Sequence, residues 1–214
     1  MQIDFVSDIA CPWCAVGLNS LERALERLEP DIPVTLHFQP FELNPALGPE
    51  GEDTVEHLSA KYGIDAAQIA RNQAAIRARG AEVGFAFGER PRIWNTFDSH
   101  RLLHWAGLEC GPGAQRALKH ALLQAYHGEG RNPGDTAVLL GCAQAAGLDV
   151  TRAQQVLEHD EFATDVRAAE ARWQQAGIRS VPSVVIDERH LIQGGQPPEV
   201  FERALRQLAA AAQG

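Results

Sequence analysis

The sequence predicts an α/β fold: a mixed four-stranded sheet with helices on both faces, interrupted by an all-helical insertion. Three observations carry this. An apolar run at Gln2–Val6 is followed by an amphipathic stretch and then by the alternating Val34-Thr35-Leu36-His37-Phe38, so strand, helix and strand form a right-handed βαβ unit. From about Asn44 to Leu157 the only periodicity is helical. Near the end, Ser183-Val184-Val185-Ile186 and His190-Leu191-Ile192-Gln193 flank the turn Asp187-Glu188-Arg189. Two antiparallel strands cannot bury their faces alone, so they are expected to join the first unit. The expected divisions are 1–43 for the first part of the sheet domain, 44–157 for the helical insertion and 158–214 for the second part.

In chain order, Ile3, Phe5 and Val6 mark the first strand, and Leu18, Leu21, Leu25 and Leu28 give a helix one buried face. Pro30-Asp31-Ile32-Pro33 breaks that helix, and Pro40 and Pro45 end the unit. The insertion opens with a Gly, Pro and acid-rich loop from Leu47 to Asp53, after which Asp53 or Thr54 is placed to cap a short helix through Lys61. Further helices are expected over 65–81, from Thr96 to Gly107, over 114–126, 135–146 and 151–158, with Cys110-Gly111-Pro112-Gly113 as a turn. No strand is expected in this region. Glu161 to Gln175 reads as a helix stopped by Gly177, and 198–210 as a last helix with Val200, Phe201, Leu205 and Leu208 inward.

The chain has 214 residues, a hydrophobic content of 45% and a net charge of −9, enough apolar matter for a substantial core. It has no Lys/Arg cluster, which argues against a nucleic-acid surface and against adhesion to anionic membrane. No apolar stretch is long enough to span a bilayer. Cys11 comes too early to follow a secretory leader, so a cytoplasmic protein is expected, as monomer or homodimer. One close cysteine pair and two single cysteines do not make a secreted disulfide scaffold.

The chemistry concentrates at Asp8-Ile9-Ala10-Cys11-Pro12-Trp13-Cys14. Cys11 falls at a strand-to-helix turn, with Pro12 at the first helical position, where its missing N–H costs nothing. Cys14 lies one turn later, within disulfide reach. Unpaired N–H groups and the helix dipole favour a thiolate at the helix start, and cysteines in such motifs ionise anywhere from about 3.5 to about 7. Cys11 is therefore expected to be exposed and nucleophilic, and Cys14, facing the core, to be the resolving thiol. Pro12 and Trp13, between them, tune the potential and border the substrate.

Val181-Pro182 opens a strand after the loop Gly177-Ile178-Arg179-Ser180, a place where proline is tolerated. On its residues alone it is an X–Pro bond that can be trans or cis. His100 and His104 share a helical face without the pattern of a zinc site, and His100 and Phe97 are candidates for the edge of a substrate groove. Trp94, Trp105 and Phe85 read as core of the insertion. Cys110 sits in a turn and Cys142 in an apolar helical stretch. No metal site is expected. No nucleotide loop or hydrolase elbow is present, so no bound cofactor is expected and the thiols themselves carry the redox equivalents.

Four stretches together resemble a known family: Cys11-Pro12-Trp13-Cys14 with Gly17, Asn95-Thr96-Phe97-Asp98-Ser99-His100-Arg101, Gly177 to Pro182, and Ile192-Gln193-Gly194-Gly195-Gln196-Pro197. The chain resembles the DsbA-like branch of the thioredoxin superfamily, and most closely its FrnE-type thiol-disulfide oxidoreductases. The resemblance implies a thioredoxin fold interrupted by a helical domain, Cys11 as nucleophile, Cys14 as its partner and Pro182 as a cis proline. A cis proline there would leave the backbone of Val181 free to pair with an extended thiol substrate. Some FrnE-type proteins carry a further C-terminal cysteine motif; this chain has no cysteine after Cys142. The expected function is disulfide exchange with protein or small-molecule thiols, as oxidase, reductase or isomerase. Two alternatives remain: a glutathione-dependent transferase or isomerase, similar to the kappa glutathione transferases and hydroxychromene carboxylate isomerases, and a non-catalytic partner-binding domain. Glutathione is a candidate co-substrate. The enzymes of the first alternative resemble serine-based sites, whereas this chain has both cysteines.

Overall fold

A computed structural model describes residues 1–212. β1 (Gln2–Ser7) leads through the turn at Asp8–Cys11 into α1 (Pro12–Leu28), and β2 (Thr35–Pro40) returns parallel to β1. After a long helical excursion, β5 (Ser183–Ile186) pairs antiparallel with the other edge of β1, and β6 (His190–Gln193) pairs antiparallel with β5. The order β2-β1-β5-β6 is the expected mixed four-stranded sheet, with β1 at its centre.

Side chains alternate across β1 and assign its two faces. Ile3 and Phe5, with their cross-strand partners Leu36, Phe38, Val184 and Ile186, pack into one core with Leu18 and Leu21 of α1 and Phe201 and Leu205 of α9 (Pro198–Ala211). Val6 and Val185 turn the other way, onto Trp173 of α8 (Ala163–Gln175) and Ile178. β1 is thus buried on both faces, with Ile3 and Phe5 on one and Val6 on the other, and its polar Asp4 and Ser7 are buried too. On α9, Phe201 and Leu205 are fully buried, while Val200 and Leu208 are only half-buried.

Between β2 and α8 the chain runs through α2 (Thr54–Tyr62), α3 (Ala66–Glu82), α4 (Phe97–Trp105), α5 (Pro112–Leu123), α6 (Thr136–Ala145) and α7 (Val150–Glu158). Asp53, Asp65, Asp135 and Asp149 cap four of these helices by accepting N–H bonds from their first turns. Three expectations need correction. Gly107 does not end its helix: α4 runs on through a π-helical turn over Ala106–Cys110, held by Trp105 Nε1 donating to Glu109 at 2.8 Å. Pro112 and Gly113, expected in a turn, begin α5, proline being suited to a first helical position. The region also contains strand: β3 (Glu52–Asp53) and β4 (Arg92–Ile93) form a two-residue antiparallel ladder, too short to leave a periodicity, which Arg92 braces by donating to the carbonyls of Glu50 and Gly51.

α5 also closes the exposed edge of β2. Gln115 accepts the Phe38 N–H at 3.0 Å and donates to the Phe38 carbonyl at 3.1 Å, so a side-chain amide substitutes for a neighbouring strand. No described helix is long and apolar enough to cross a membrane. Because Phe201 is fully buried in the core shared by α9, α1 and β1, Phe201→Ala is expected to lower the unfolding free energy by about 3–5 kcal/mol. The exposed Leu191→Ala is expected to change it by less than about 0.5 kcal/mol. Denaturant titration checks both, and equal effects would contradict this packing.

Candidate active site

The turn after β1 fixes the cysteine pair. Cys11 occupies the position before α1 with extended backbone (φ −88°, ψ 113°), and Pro12 is the first residue of the helix. Cys14, one turn in, is fully buried. Both are free thiols. Cys11, expected to be exposed, is only 5% exposed. The reason is the loop above it: Val181-Pro182 is cis, and the Cys11 thiol donates to the Val181 carbonyl at 3.6 Å. That carbonyl is therefore engaged rather than free, while the Val181 N–H has no hydrogen-bond partner among the described residues. Trp13 is 38% exposed and forms the rim.

Close approach of α1 to this loop depends on glycine. A Cβ on Gly17 would stand 2.9 Å from Pro182 Cγ and 3.3 Å from Gly195 Cα. Gly195, in turn, lies against the Trp13 carbonyl. The two glycines and Pro182 thus set the distance between the helix start and the loop that covers Cys11.

The two thiols differ in acidity. The hydrogen bond from the Cys14 thiol, joined by the N–H groups of Cys14 and Trp13, holds Cys11 below the ordinary thiol range against burial and the Asp8 charge. Burial, followed by the bond to Cys11 and its charge, pushes Cys14 well up. One sulfur is prepared to be a thiolate and the other to stay protonated beside it.

Below the turn lies a polar cluster that the sequence reading did not assign to the site. The buried Asp8 carboxylate accepts from Ala10 N–H at 3.0 Å, Thr96 Oγ1 at 2.7 Å and Leu43 N–H at 2.6 Å, with His100 Nε2 at 3.5 Å. Burial alone would raise its pKa, but His100 and the two N–H groups outweigh it and hold the carboxyl below its ordinary range. Lys119, with no exposed surface, donates to Ser7 Oγ at 2.9 Å, and burial brings its pKa down to about 8. His127 is buried, its Nε2 2.8 Å from the Ile9 carbonyl, and burial pushes its pKa well down. Arg90 donates to the Ala10 carbonyl at 2.9 Å. The signal for Lys119 was present: with Gln115, Leu118, Leu122 and Leu123 it lies in the buried stripe of α5, where a lysine is out of place.

His100 therefore sits under the turn, drawn in by Asp8, and does not border a groove. Phe97 is also displaced from the expected position: its ring lies beneath the Arg167 guanidinium at 3.8 Å and faces a separate cleft shared with Trp94 and Asn95. The cleft beside the cysteines has a volume of about 330 Å³ and opens at Pro12. Val55, Ile76 and Phe87 give it apolar walls, and Arg77 and Arg90 share its lining with Asp53 and Glu89, so its charges balance. Cys110 is exposed on the π-helical turn and Cys142 is buried in α6, neither beside Cys11.

Two outcomes follow from this geometry. Gly17→Ala forces Pro182 or α1 to shift and is expected to cost about 1–3 kcal/mol, measured by denaturant unfolding; an unchanged stability would refute the close contact. Asp8 ionises more readily folded than unfolded, so its stabilisation is complete above the unfolded value of about 3.9 and drains away as pH falls through the lower folded value. Asp8→Asn is therefore expected to lower the melting temperature most near neutral pH, and the gap from wild type should close below about pH 3.9.

Residues 2–206 match the DSBA-like thioredoxin domain family. The crystal structure of a probable DsbA oxidoreductase from Streptomyces coelicolor superposes with a TM-score of 0.89 at 35% identity, covering 97% of this chain and 89% of that one. The YwbO protein of Bacillus subtilis is 28% identical over 207 residues, 96% of each chain. The cytosolic disulfide reductase DsbM of Pseudomonas aeruginosa, determined with GSH, shares the fold at a TM-score of 0.67 and 14% identity, over 98% of this chain and 100% of that one. A family match over nearly the whole length, around a cysteine pair at a helix start facing a cis proline, means that the chain belongs to the DSBA-like thioredoxin domain family.

Proposed function

We propose that the protein is a thiol-disulfide oxidoreductase of the FrnE type that works through Cys11 as nucleophile and Cys14 as resolving thiol. The observation that carries the reading is the placement of Cys11 at the helix start against the cis Val181-Pro182 bond with Cys14 one turn behind it, an arrangement in which the two thiols are displaced in opposite directions. A site that only bound a partner would have no use for that asymmetry. A serine-type transferase or isomerase site would lack the second sulfur.

In the reducing direction the Cys11 thiolate attacks a substrate disulfide, one substrate sulfur leaves as thiolate, and Cys11 carries a mixed disulfide. Cys14 then attacks Cys11 Sγ, releasing the second substrate sulfur and closing the Cys11–Cys14 bond. In the oxidising direction the same steps run backwards, and relative potentials set the direction. The substrate sulfur approaches between Trp13 and Val181-Pro182, where the Val181 N–H is available to an extended chain. Neighbouring parts of the substrate occupy the cleft at Pro12. Its apolar walls, with Arg77 and Arg90 set among Asp53 and Glu89, suit a peptide segment or a small thiol that carries both charges, such as glutathione.

Stabilising the Cys11 thiolate stabilises the reduced pair, which makes the couple more oxidising. The reduction potential is accordingly expected to lie above the thioredoxin value of about −270 mV, towards about −120 mV. Equilibration in glutathione buffers followed by thiol trapping measures it. Cys11→Ser should abolish exchange, while Cys14→Ser should accumulate a mixed disulfide on Cys11. Failure of the wild-type pair to form an intramolecular disulfide at any poise would end the dithiol reading.

A further inference from the structure

Arg90 is a charge without a counter-ion beside the cysteine turn. It lies in the loop between α3 and β4, half-buried, and its Nη1 donates at 2.9 Å to the carbonyl of Ala10, the residue before Cys11. The cleft it lines opens at Pro12, the residue after Cys11. Its guanidinium carbon stands 5.3 Å from the centre of the Tyr126 ring, whose hydroxyl is the other polar group near it. Asp53 and Glu89 line the same cleft, but no carboxylate among the described residues comes within ion-pair distance of Arg90. A fixed guanidinium with most of its five N–H groups unspent is a receptor for an anion.

The backbone of Arg90 is held on two sides. Thr54, buried at the start of α2, donates its hydroxyl to the Arg90 carbonyl at 2.8 Å and its N–H to the Pro91 carbonyl at 2.9 Å. The Gly88 N–H donates to the His127 carbonyl at 2.9 Å, and a Cβ on Gly88 would collide with the Gly128 carbonyl. Arg90 therefore meets a ligand with little freedom left to lose. Arg77, the other arginine of the cleft, is exposed on α3 with no hydrogen bond or ion pair among the described residues, so ordering it costs the entropy of a long side chain. His127 also lines the cleft, but its Nε2–H is spent on the Ile9 carbonyl at 2.8 Å and burial keeps the ring neutral. It adds no charge.

We propose that Arg90 is a specificity-determining residue: it receives a carboxylate of the substrate, so that the cleft selects small thiols and disulfides carrying a carboxylate a few bonds from sulfur. The proposal rests on the dithiol reading above. A planar guanidinium matches a carboxylate with two parallel N–H···O bonds, and the Ala10 contact fixes that carboxylate relative to Cys11. A cleft of about 330 Å³ is near the lower end of the sizes that enclose small molecules, which favours a small substrate over a protein chain. The Cys11 thiolate attacks the sulfur of the half held by Arg90, and a Cys11–substrate S–S bond forms. The substrate S–S bond breaks, and the other half leaves as thiolate with that bond's electron pair. Asp53 and Glu89 are in the lining for an ammonium group on the same ligand.

The test reacts the reduced full chain with small disulfides that differ in charge: anionic dithiodipropionate and dithiodibutyrate, neutral hydroxyethyl disulfide and cationic cystamine. Acid quenching and thiol alkylation give a second-order rate constant for each, and the readout is the ratio of the anionic to the neutral constant. A ratio cancels any common change in Cys11 that follows from losing the Ala10 contact. Arg90→Gln is expected to lower it about tenfold to a hundredfold, the worth of a charge-assisted hydrogen bond. Arg90→Lys, which keeps the charge but not the fork, is expected to lower it by a smaller, still measurable factor. Arg77→Gln should leave it close to wild type. Two Arg90 variants guard against one that fails to fold. An unchanged ratio in either folded Arg90 variant, an equal fall in Arg77→Gln, or a wild-type ratio no higher than that of free dithiothreitol would overturn the role. A wild type that reacts with none of the four disulfides would remove the dithiol reading itself.

Discussion

The arrangement around the cysteines depends on one buried carboxylate. Asp8 ends β1, and its two oxygens gather the backbone of the turn at Ala10, the chain leaving β2 at Leu43, and the start of α4 at Thr96 and His100. A buried charge is tolerable only when its hydrogen bonds are complete, so these contacts form together or fail together. The same requirement ties the sheet to the helices that follow it, because one of the three donors, Thr96, stands just before α4, whose His100 Nε2 lies 3.5 Å from the carboxylate. Beside Leu43, Glu42 continues the polar layer: burial raises both it and Glu170 of α8, and Arg167 bridges the two. The underside of the turn is therefore a network whose members are costly to remove one at a time.

Above that base, small residues and a rigid one set the position of Cys11. Gly17 and Gly195 allow α1 and the loop after β6 to close on Pro182, and the cis bond turns the Val181 carbonyl onto the Cys11 thiol. The buried position of Cys11 and its lowered pKa are compatible because the compensation is local. Cys14 and two backbone N–H groups replace the water that burial removes. Cys14 has no comparable set of donors, so burial dominates there and the two thiols are displaced in opposite directions.

Much of this was legible in the sequence, and the reason is periodicity. α1, β5 and α9 carry clear apolar patterns and β1 and β6 shorter apolar cores, so the sheet and the strand-turn-helix context of Cys11 could be read from spacing. Short elements could not: β3 and β4 have two residues each, and the π-helical turn after Trp105 rests on a side-chain bond to Glu109. At the site, the position of Cys11 and Cys14 at a helix start could be read from a local motif, whereas the cis form of Pro182 and its approach to Cys11 were implied only by the family resemblance. His100 was a groove candidate because it lies in a stretch that matches the family, and Phe97 because an aromatic of the insertion can line a groove as well as a core; neither fact shows which way α4 turns. Burial of Asp8 decides that orientation, and it is a long-range fact. The exposure expected of Cys11 failed for the same reason, since the covering loop lies 170 residues away in the chain.

The helices between β2 and β5 supply much of the polar layer near the cysteines, as the origin of each group there indicates. Thr96 and His100 come from the start of α4, Lys119 from α5 and His127 from the turn that follows it, while the sheet and α1 contribute Asp8, Ser7 and the cysteines. A sheet with α1 and α9 alone would leave Asp8 short of donors and would lack Lys119 altogether. Gln115 strengthens the dependence: the face of α5 that carries Lys119 also seals the β2 edge at Phe38, so the lysine cannot move without opening the sheet. Variation along these helices can therefore alter the acidity and the potential of a cysteine pair that none of them contains.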